Sequence, residues 1–227
     1  MAADFTMKVT DNGYLDNQRF SVILYHSAFD WTFLDQKNTA RELILQRIAT
    51  NGDIRLQPTP EQWDQAAHFK TRQADKEHNR LSAQLSYPEY QLDYRLEVIA
   101  EPGGVRVVVN LDKPLPERLV GRAGFNLEFL PSAYVGKAYM VDGASTGILP
   151  RTPRDPMMKA VPPTGEPARL PYQEEWDQAR GFFQPEPFAS GKAITLAIDD
   201  PLHRVRVESE SGTLSLYDGR NRAQNGW

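Results

Sequence analysis

The stretch that decides the fold runs from residue 91 to residue 111 and reads QLDYRLEVIAEPGGVRVVVNL. Tyr94, Leu96 and Val98 alternate with charged residues, and valine recurs at every second position from 105 to 109. An alternation of period two is typical of a β-strand with one face in a core, and the EPGG segment between the two halves is typical of a turn. The stretch therefore predicts a hairpin with one apolar face.

Other short apolar segments, separated by turn residues, continue along most of the chain. Residues 41–57 predict a hairpin that turns at Asn51-Gly52, because this pair tolerates the positive φ angles of a tight turn. Residues 69–74 and 81–87 predict another. Further strands are predicted over residues 124–130, 137–141, 193–198, 203–209 and 213–217. About a dozen strands in all favour two packed sheets.

The predicted fold is an all-β, two-sheet antiparallel β-sandwich, supersandwich or immunoglobulin-like, as a single domain over residues 1–227. Residues 150–187 hold nine of the 17 prolines, which indicates a long loop in place of strands. The aromatic residues within it favour an ordered loop lying on the sandwich. Helices are expected to be short at most, as single turns at residues 60–63 and 172–179.

Composition excludes several classes of function. The 26 basic and 30 acidic residues give a net charge of -4, which does not attract nucleic acid. The chain has no apolar run of about 18 residues, so no membrane helix is predicted. It also has no cysteine, which rules out disulfides, thiol catalysis and thiolate metal sites. We expect neither nucleic acid nor a membrane as partner.

Catalytic motifs are missing from the sequence. It contains no nucleophile elbow, phosphate-binding loop or dinucleotide fingerprint, so no catalytic residue is assigned. Glu128 is the most suggestive single carboxylate for glycoside hydrolysis, because it shares a strand face with Asn126 opposite the apolar Phe125 and Phe129. An ion pair with an arginine such as Arg122, on the polar face of a sheet, is the interpretation we favour.

No metal or cofactor is predicted either. The histidines lack metal-ligand spacing and are expected to be structural or exposed; they are His26, His68, His78 and His203. Calcium binding by Asp199-Asp200 or Asp142 is an alternative to a turn-forming role for the same residues. The turn-forming role is the favoured interpretation.

Aromatic residues give the better indication of a binding surface, because sugar rings stack on aromatic planes while their hydroxyls need polar partners. Trp63, Trp176 and Tyr139 are the candidate stacking residues, with Asp142 and Arg151 as polar partners. The rival interpretation of the two tryptophans is that they pin loops to the sandwich. Trp31, by contrast, is expected in the core, because Phe29 and Phe33 alternate with it.

Five segments resemble a known family, in the same order along the chain. In chain order they are PTPEQWD at residues 58–64, LDKPLP at 111–116, GRAGFNLEFLPSAY at 121–134, YMVDG at 139–143 and DGRNRAQNGW at 218–227. These strings are similar to the N-terminal β-domain of large bacterial glycoside hydrolases of family 9, which are cellulase-like multidomain proteins. The resemblance spans most of the chain.

The resemblance implies that catalysis belongs to a following (α/α) helical-barrel domain of the same polypeptide, whose Asp-Ala-Gly-Asp run has no counterpart here. It implies a periplasmic or secreted protein, of which this chain is one part. The expected function is a non-catalytic accessory domain that packs on or shapes the catalytic domain. One alternative is an independent carbohydrate-binding module that contacts polysaccharide through the aromatic residues. The other is a mutarotase-like sugar epimerase, which needs a histidine and a carboxylate facing each other in a groove.

Overall fold

The structure, a computed structural model, describes residues 6–17, 20–24, 32–35, 47–56, 67–121, 123–152, 176–177, 182–183 and 187–218. Over these residues the chain is nearly all β, with antiparallel sheets, one α-helical turn and two 3-10 turns. The predicted all-β antiparallel sandwich is therefore confirmed. The chain divides into two compact units, residues 1–56 with 65–127, and residues 57–64 with 128–227. The prediction of a single domain over 1–227 stays a prediction.

The first unit is built on a six-stranded and a four-stranded sheet, each antiparallel wherever its strand pairing is resolved. The six-stranded sheet has the order β1-β2-β3-β4-β5-β10, and its last strand ends at the start of the second unit. The four-stranded sheet has the order β6-β7-β8-β9. The strands are β1 Lys8–Val9, β2 Leu15–Asp16, β3 Phe20–Ile23, β4 Thr32–Asp35, β5 Arg47–Leu56, β6 His68–Asp75, β7 Arg80–Tyr87, β8 Leu92–Glu101, β9 Gly104–Leu111 and β10 Ala123–Phe129. Two 3-10 turns, Pro88–Tyr90 and Glu117–Leu119, lie between strands.

Two predicted hairpins are confirmed in the four-stranded sheet. Strands β6 and β7 pair from His68↔Ser86 to Asp75↔Arg80, and β8 and β9 pair up to Glu101↔Gly104, which leaves Pro102-Gly103 as a two-residue turn. Gly103 has a φ of 82°, a value that suits glycine in such a turn. Tyr94, Leu96 and Val98 are buried, as their alternation predicted.

The two sheets of the first unit are joined through their buried faces. The Tyr87 hydroxyl donates to the Ile54 carbonyl at 2.8 Å, and the Tyr94 hydroxyl donates to the Asp53 carboxyl at 2.7 Å. Both tyrosines are 1% exposed, and their rings stack with centroids 6.2 Å apart. Two large side chains of one sheet thus satisfy polar groups of strand β5 inside an apolar core.

The predicted hairpin turn at Asn51-Gly52 is wrong. Strand β5 runs unbroken for 10 residues through this pair, and it pairs with β4 at Phe33↔Ala49. Ile48 and Ile54, on either side of the pair, are both buried. Burial in the sheet has therefore overridden the local turn preference of Asn-Gly.

The second unit contains a four-stranded antiparallel sheet of order β12-β11-β16-β17 and two two-stranded ribbons, β13-β14 and β15-β18. Its strands are β11 Ala138–Val141, β12 Ser145–Ile148, β13 Trp176–Asp177, β14 Phe182–Phe183, β15 Ala189–Gly191, β16 Ala193–Leu196, β17 Val205–Glu208 and β18 Leu214–Leu216. A one-turn helix, α1, spans Pro131–Tyr134 and buries Tyr134 against Phe129, with the ring centroids 5.4 Å apart. The four predicted strands between 137 and 217 are confirmed, each with shorter ends.

The proline-rich segment at residues 150–187 lies mostly outside the described residues. Where it is described, Trp176 pairs with Phe183 and Asp177 pairs with Phe182 as antiparallel strands. The loop predicted over residues 150–187 thus contains a short strand pair, and the helical turn predicted at residues 172–179 is wrong at residues 176–177, where the backbone forms strand β13. The turn predicted at residues 60–63 lies outside the described part of the chain.

No helix in the described ranges is both long and apolar enough to cross a membrane.

Candidate functional site

The residues proposed from the sequence fall mainly in the second unit. Trp63 lies outside the described residues, as does the side chain of Trp176, whose backbone forms β13. Tyr139, Asp142 and Arg151 are described, and all three belong to the β11–β12 hairpin or the residues that follow it.

Tyr139 is half-buried in the middle of this hairpin. It pairs with Gly147 on one side and Leu196 on the other. A methyl group at position 147 would overlap the Tyr139 ring, which therefore lies directly against the glycine. Phe188 meets the ring edge to face, with centroids 5.6 Å apart and planes at 71°. Packing thus occupies much of this ring, and its role as a sugar platform stays a prediction.

Asp142 lies in the tight turn between β11 and β12. Asp142 and Gly143 have φ angles of 50° and 74°, and the Ala144 N–H donates to the Val141 carbonyl at 3.0 Å, as in a type I′ turn. The Asp142 carboxylate accepts a 2.8 Å hydrogen bond from the Ala193 N–H. This carboxylate holds the turn against β16, which supports the turn-forming interpretation over calcium binding.

Arg151 is exposed beyond the other end of the hairpin, where its side chain lies beside Gly136. All of strand β11 lies between Gly136 and Asp142, and the six residue steps from 136 to 142 correspond to roughly 20 Å of extended chain. The structure therefore does not bring Arg151 and Asp142 together at one point.

A second polar cluster forms around Asp200. Its carboxylate pairs with Lys137, contacts His203 Nδ1 at 2.7 Å and accepts from the Leu202 N–H at 3.0 Å. Lys137 is the largest cause that holds the pKa of Asp200 well below its ordinary value, and His203 adds to the effect. The nearby Asp199 carboxylate accepts from the Ala138 N–H at 3.3 Å.

In the described residues a histidine contacts a carboxylate at two places, His203 with Asp200 at 2.7 Å and His78 with Asp75 at 2.8 Å. In each pair the two residues lie three apart in the chain, so the contact closes a local turn and does not face two groups across a groove. Both aspartates of the Asp199-Asp200 pair likewise serve local structure, and the described residues contain no group of three or more His, Asp or Glu placed to hold a metal ion.

The environment predicted for Glu128 is wrong. Glu128 is 8% exposed and Phe129 beside it is 6% exposed, whereas Phe125 at the other end of β10 is 41% exposed. The strand therefore does not present one apolar and one polar face, because both faces are covered at its C-terminal end. Arg122 lies outside the described residues.

Sequence reasoning missed a polar surface in the first unit, on the side of the β6–β9 sheet opposite the tyrosine core. We call it the polar face. The registers place its members in cross-strand rows. The first row is Thr71, Gln84, Arg95 and Asn110, the second is Gln73, Ser82, Glu97 and Val108, and the third is Asp75, Arg80, Ile99 and Arg106. The polar residues that alternate with buried ones along β7 and β8 are the signal that could have found it.

Glu97 is the centre of this polar face. Its carboxylate accepts from Asn110 Nδ2 at 2.8 Å and from Arg80 at 3.4 Å, and it lies 3.6 Å from Arg95 Nε. These neighbours leave the Glu97 side chain only 11% exposed, although it faces away from the core. Arg80 also donates to Asp75 at 3.2 Å, so the ion pairs extend from β6 to β8.

No protein-family pattern, curated protein or solved structure was found to match this chain.

Proposed function

We propose that this chain is a non-catalytic accessory domain of a polysaccharide-degrading glycoside hydrolase, in which it packs on or shapes the catalytic domain. The proposal begins from the resemblance of five sequence segments to the N-terminal β-domain of family 9 enzymes. In that arrangement the acid and base groups belong to a separate helical barrel, and this chain supplies an all-β scaffold.

The burial of Glu128 is the observation that carries the non-catalytic part of the proposal. A glycosidase needs two carboxyl groups on either side of the scissile bond, with at least one able to reach the substrate. Glu128, the carboxylate that the sequence suggested for glycoside hydrolysis, is only 8% exposed, so a polysaccharide chain does not reach it.

The three other carboxylates considered from the sequence, Asp142, Asp199 and Asp200, have structural partners. Asp142 and Asp199 accept from backbone N–H groups, and Asp200 is paired with Lys137. Groups held in this way stabilise turns and strand ends, and each would have to leave its partner before it could act as a general acid or base.

The test is a comparison of hydrolysis by three samples on soluble β-glucan, xylan and mannan. They are the complete product of the gene, that product without residues 1–227, and this chain alone. We expect reducing sugar from the complete product, less activity or lower thermal stability after the deletion, and none from the chain alone. Hydrolysis by the chain alone that is abolished by Glu128→Gln would overturn the proposal.

A further inference from the structure

We propose that the polar face of the β6–β9 sheet binds an uncharged polysaccharide chain, which lies across the strands along the row Thr71, Gln84, Arg95 and Asn110. The inference rests on the proposed function and deepens it, because it names the surface by which the accessory domain contacts substrate. It moves the contact away from the aromatic residues that the sequence suggested.

The row is continuous across all four strands. Thr71 lies opposite Gln84, Gln84 opposite Arg95, and Arg95 opposite Asn110. Neighbouring strands lie about 4.8 Å apart, so the row spans about 14 Å of an extended surface. A surface of this shape suits a ligand that is itself extended.

Several groups in the row are available to a ligand. Thr71, Gln84 and Arg95 are exposed, and the side chains of Thr71 and Gln84 make no hydrogen bond with any described residue. Arg95 contacts Glu97 through Nε, and its terminal nitrogens have no protein partner in the described part of the chain. Amide and hydroxyl groups both donate to and accept from sugar hydroxyls, and a guanidinium donates to them.

The charges on this face favour an uncharged ligand. With Lys70, Asp93 and Glu101 beside the three rows, this side of the sheet carries four carboxylates and four basic side chains and so has no net charge; Arg72, the fifth basic residue of these strands, donates instead to the Leu24 and Gly13 carbonyls. Each of the four carboxylates is paired, as Lys70–Asp93, Arg80–Asp75, Arg95–Glu97 and Arg106–Glu101. A phosphorylated, sulfated or uronic polymer would gain no net attraction from such a surface. A protein partner is less well suited, because the rows hold no Trp, Tyr or Phe to act as a buried anchor.

Glu97 gives the row a fixed geometry. It is held by Arg80 and Asn110, and it in turn lies against Arg95 Nε, so the guanidinium of Arg95 starts from a restrained position. Pre-ordering of this kind lowers the entropy that binding would otherwise cost.

The experiment is affinity electrophoresis of this chain through gels that contain β-glucan, xylan, mannan or, as a charged comparison, polygalacturonate. The variants are Gln84→Ala and Arg95→Gln, each checked for an unchanged melting temperature. Arg206→Ala is the matched control, because Arg206 is also exposed on a strand and pairs with a glutamate two residues on. Trp63→Ala and Trp176→Ala test the aromatic alternative.

We expect at least one uncharged polysaccharide to retain the chain. The affinity should fall about tenfold in Gln84→Ala and in Arg95→Gln, because each loses one or two hydrogen bonds. The affinity of Arg206→Ala should be unchanged. Retention by none of the uncharged polymers, or by polygalacturonate alone, would overturn the inference. So would retention that survives both variants or disappears only in the tryptophan variants. None of these failures touches the proposed accessory function, which is decided by the hydrolysis comparison.

Discussion

The Tyr94 hydroxyl donates a 2.7 Å hydrogen bond to the carboxyl group of Asp53, and both residues are buried, at 1% and 4% exposure. The bond joins the two sheets of the first unit, because Tyr94 lies on β8 and Asp53 on β5. A carboxyl group in such a core requires hydrogen-bond donors, and the Ile54 N–H at 2.7 Å is another.

Tyr94→Phe is therefore expected to destabilise the protein by about 1–3 kcal/mol, since it keeps the ring but removes a donor from a buried carboxyl group. Tyr87→Phe removes a donor from a backbone carbonyl and is expected to cost about 1 kcal/mol. Urea unfolding followed by fluorescence measures both free energies. Tyr90→Phe, at a less buried position, is the control and should change the free energy by less than about 0.5 kcal/mol. A Tyr94→Phe protein as stable as the control would contradict a role for this bond.

Two glutamates on strand β8 are expected to differ in their contribution to stability. Glu97 is surrounded by Arg80, Arg95 and Asn110 with its side chain 11% exposed, whereas Glu101 pairs with Arg106 at 41% exposure. Glu97→Ala should cost about 1–3 kcal/mol, because it leaves partly buried donors without their acceptor. Glu101→Ala should cost less than about 1 kcal/mol, as solvent-exposed pairs do.

The measurement is the unfolding midpoint of Glu97→Ala and of Glu101→Ala, each compared with the unchanged protein at low salt and at 1 M salt. Salt should reduce the contribution of the Glu101 pair more than that of Glu97, because exposed charges are screened more strongly. Equal losses in both variants would mean that the Glu97 cluster adds nothing beyond a surface ion pair.

Asp200 is expected to make stability depend on pH in the acid range. Lys137, first, and then His203 and the Leu202 N–H lower the pKa of its carboxyl group in the folded state. A carboxyl whose folded pKa is depressed contributes stability that is fully present above its unfolded pKa, near 3.8, and is lost as the pH falls toward the folded value. Asp200→Asn should therefore lower the melting temperature at pH 7, and this difference should shrink below about pH 4.

Asp11→Asn is the matched control for that experiment. Lys76 also lowers the pKa of Asp11, but the Asp11 side chain is 99% exposed, so the pair is screened by solvent. Its melting curves should coincide with those of the unchanged protein from pH 3 to pH 7. A difference between Asp200→Asn and the unchanged protein that stays constant over this range would show that the lost contacts are not linked to ionisation.

Local patterns predict this fold well where one strand face meets a core. The alternation at Tyr94, Leu96 and Val98 placed the β8–β9 hairpin correctly, because the same three side chains fill the buried face. The prediction failed at Asn51-Gly52, where a strong local turn signal lies inside a long buried strand. Whether a pair such as Asn-Gly turns depends on which other segments cover it, and the local pattern does not contain that information.

Candidate sites were harder to predict for the same reason. The aromatic residues stood out in the sequence, yet Tyr139 packs against Gly147 and Phe188. The polar face depends on strand register, since Gln84 and Arg95 become neighbours only when β7 pairs with β8 in one particular alignment. Separated polar residues acquire a shared surface through pairing, so no single segment of sequence displays it.

The contact between Gly147 and the Tyr139 ring should make Gly147→Ala destabilising. The new methyl group would overlap the ring, and the ring also packs edge to face against Phe188, so a cost of about 1–3 kcal/mol is expected. Gly124→Ala is the matched control on strand β10, because a methyl group there meets no atom within 4 Å and the cost should be near zero. Thermal unfolding measures both. In the double variant Tyr139→Ala with Gly147→Ala the clash is gone, so the free-energy cost of the double variant should be smaller than the sum of the two single-variant costs. A double-variant cost equal to that sum would mean that the ring and the glycine do not interact.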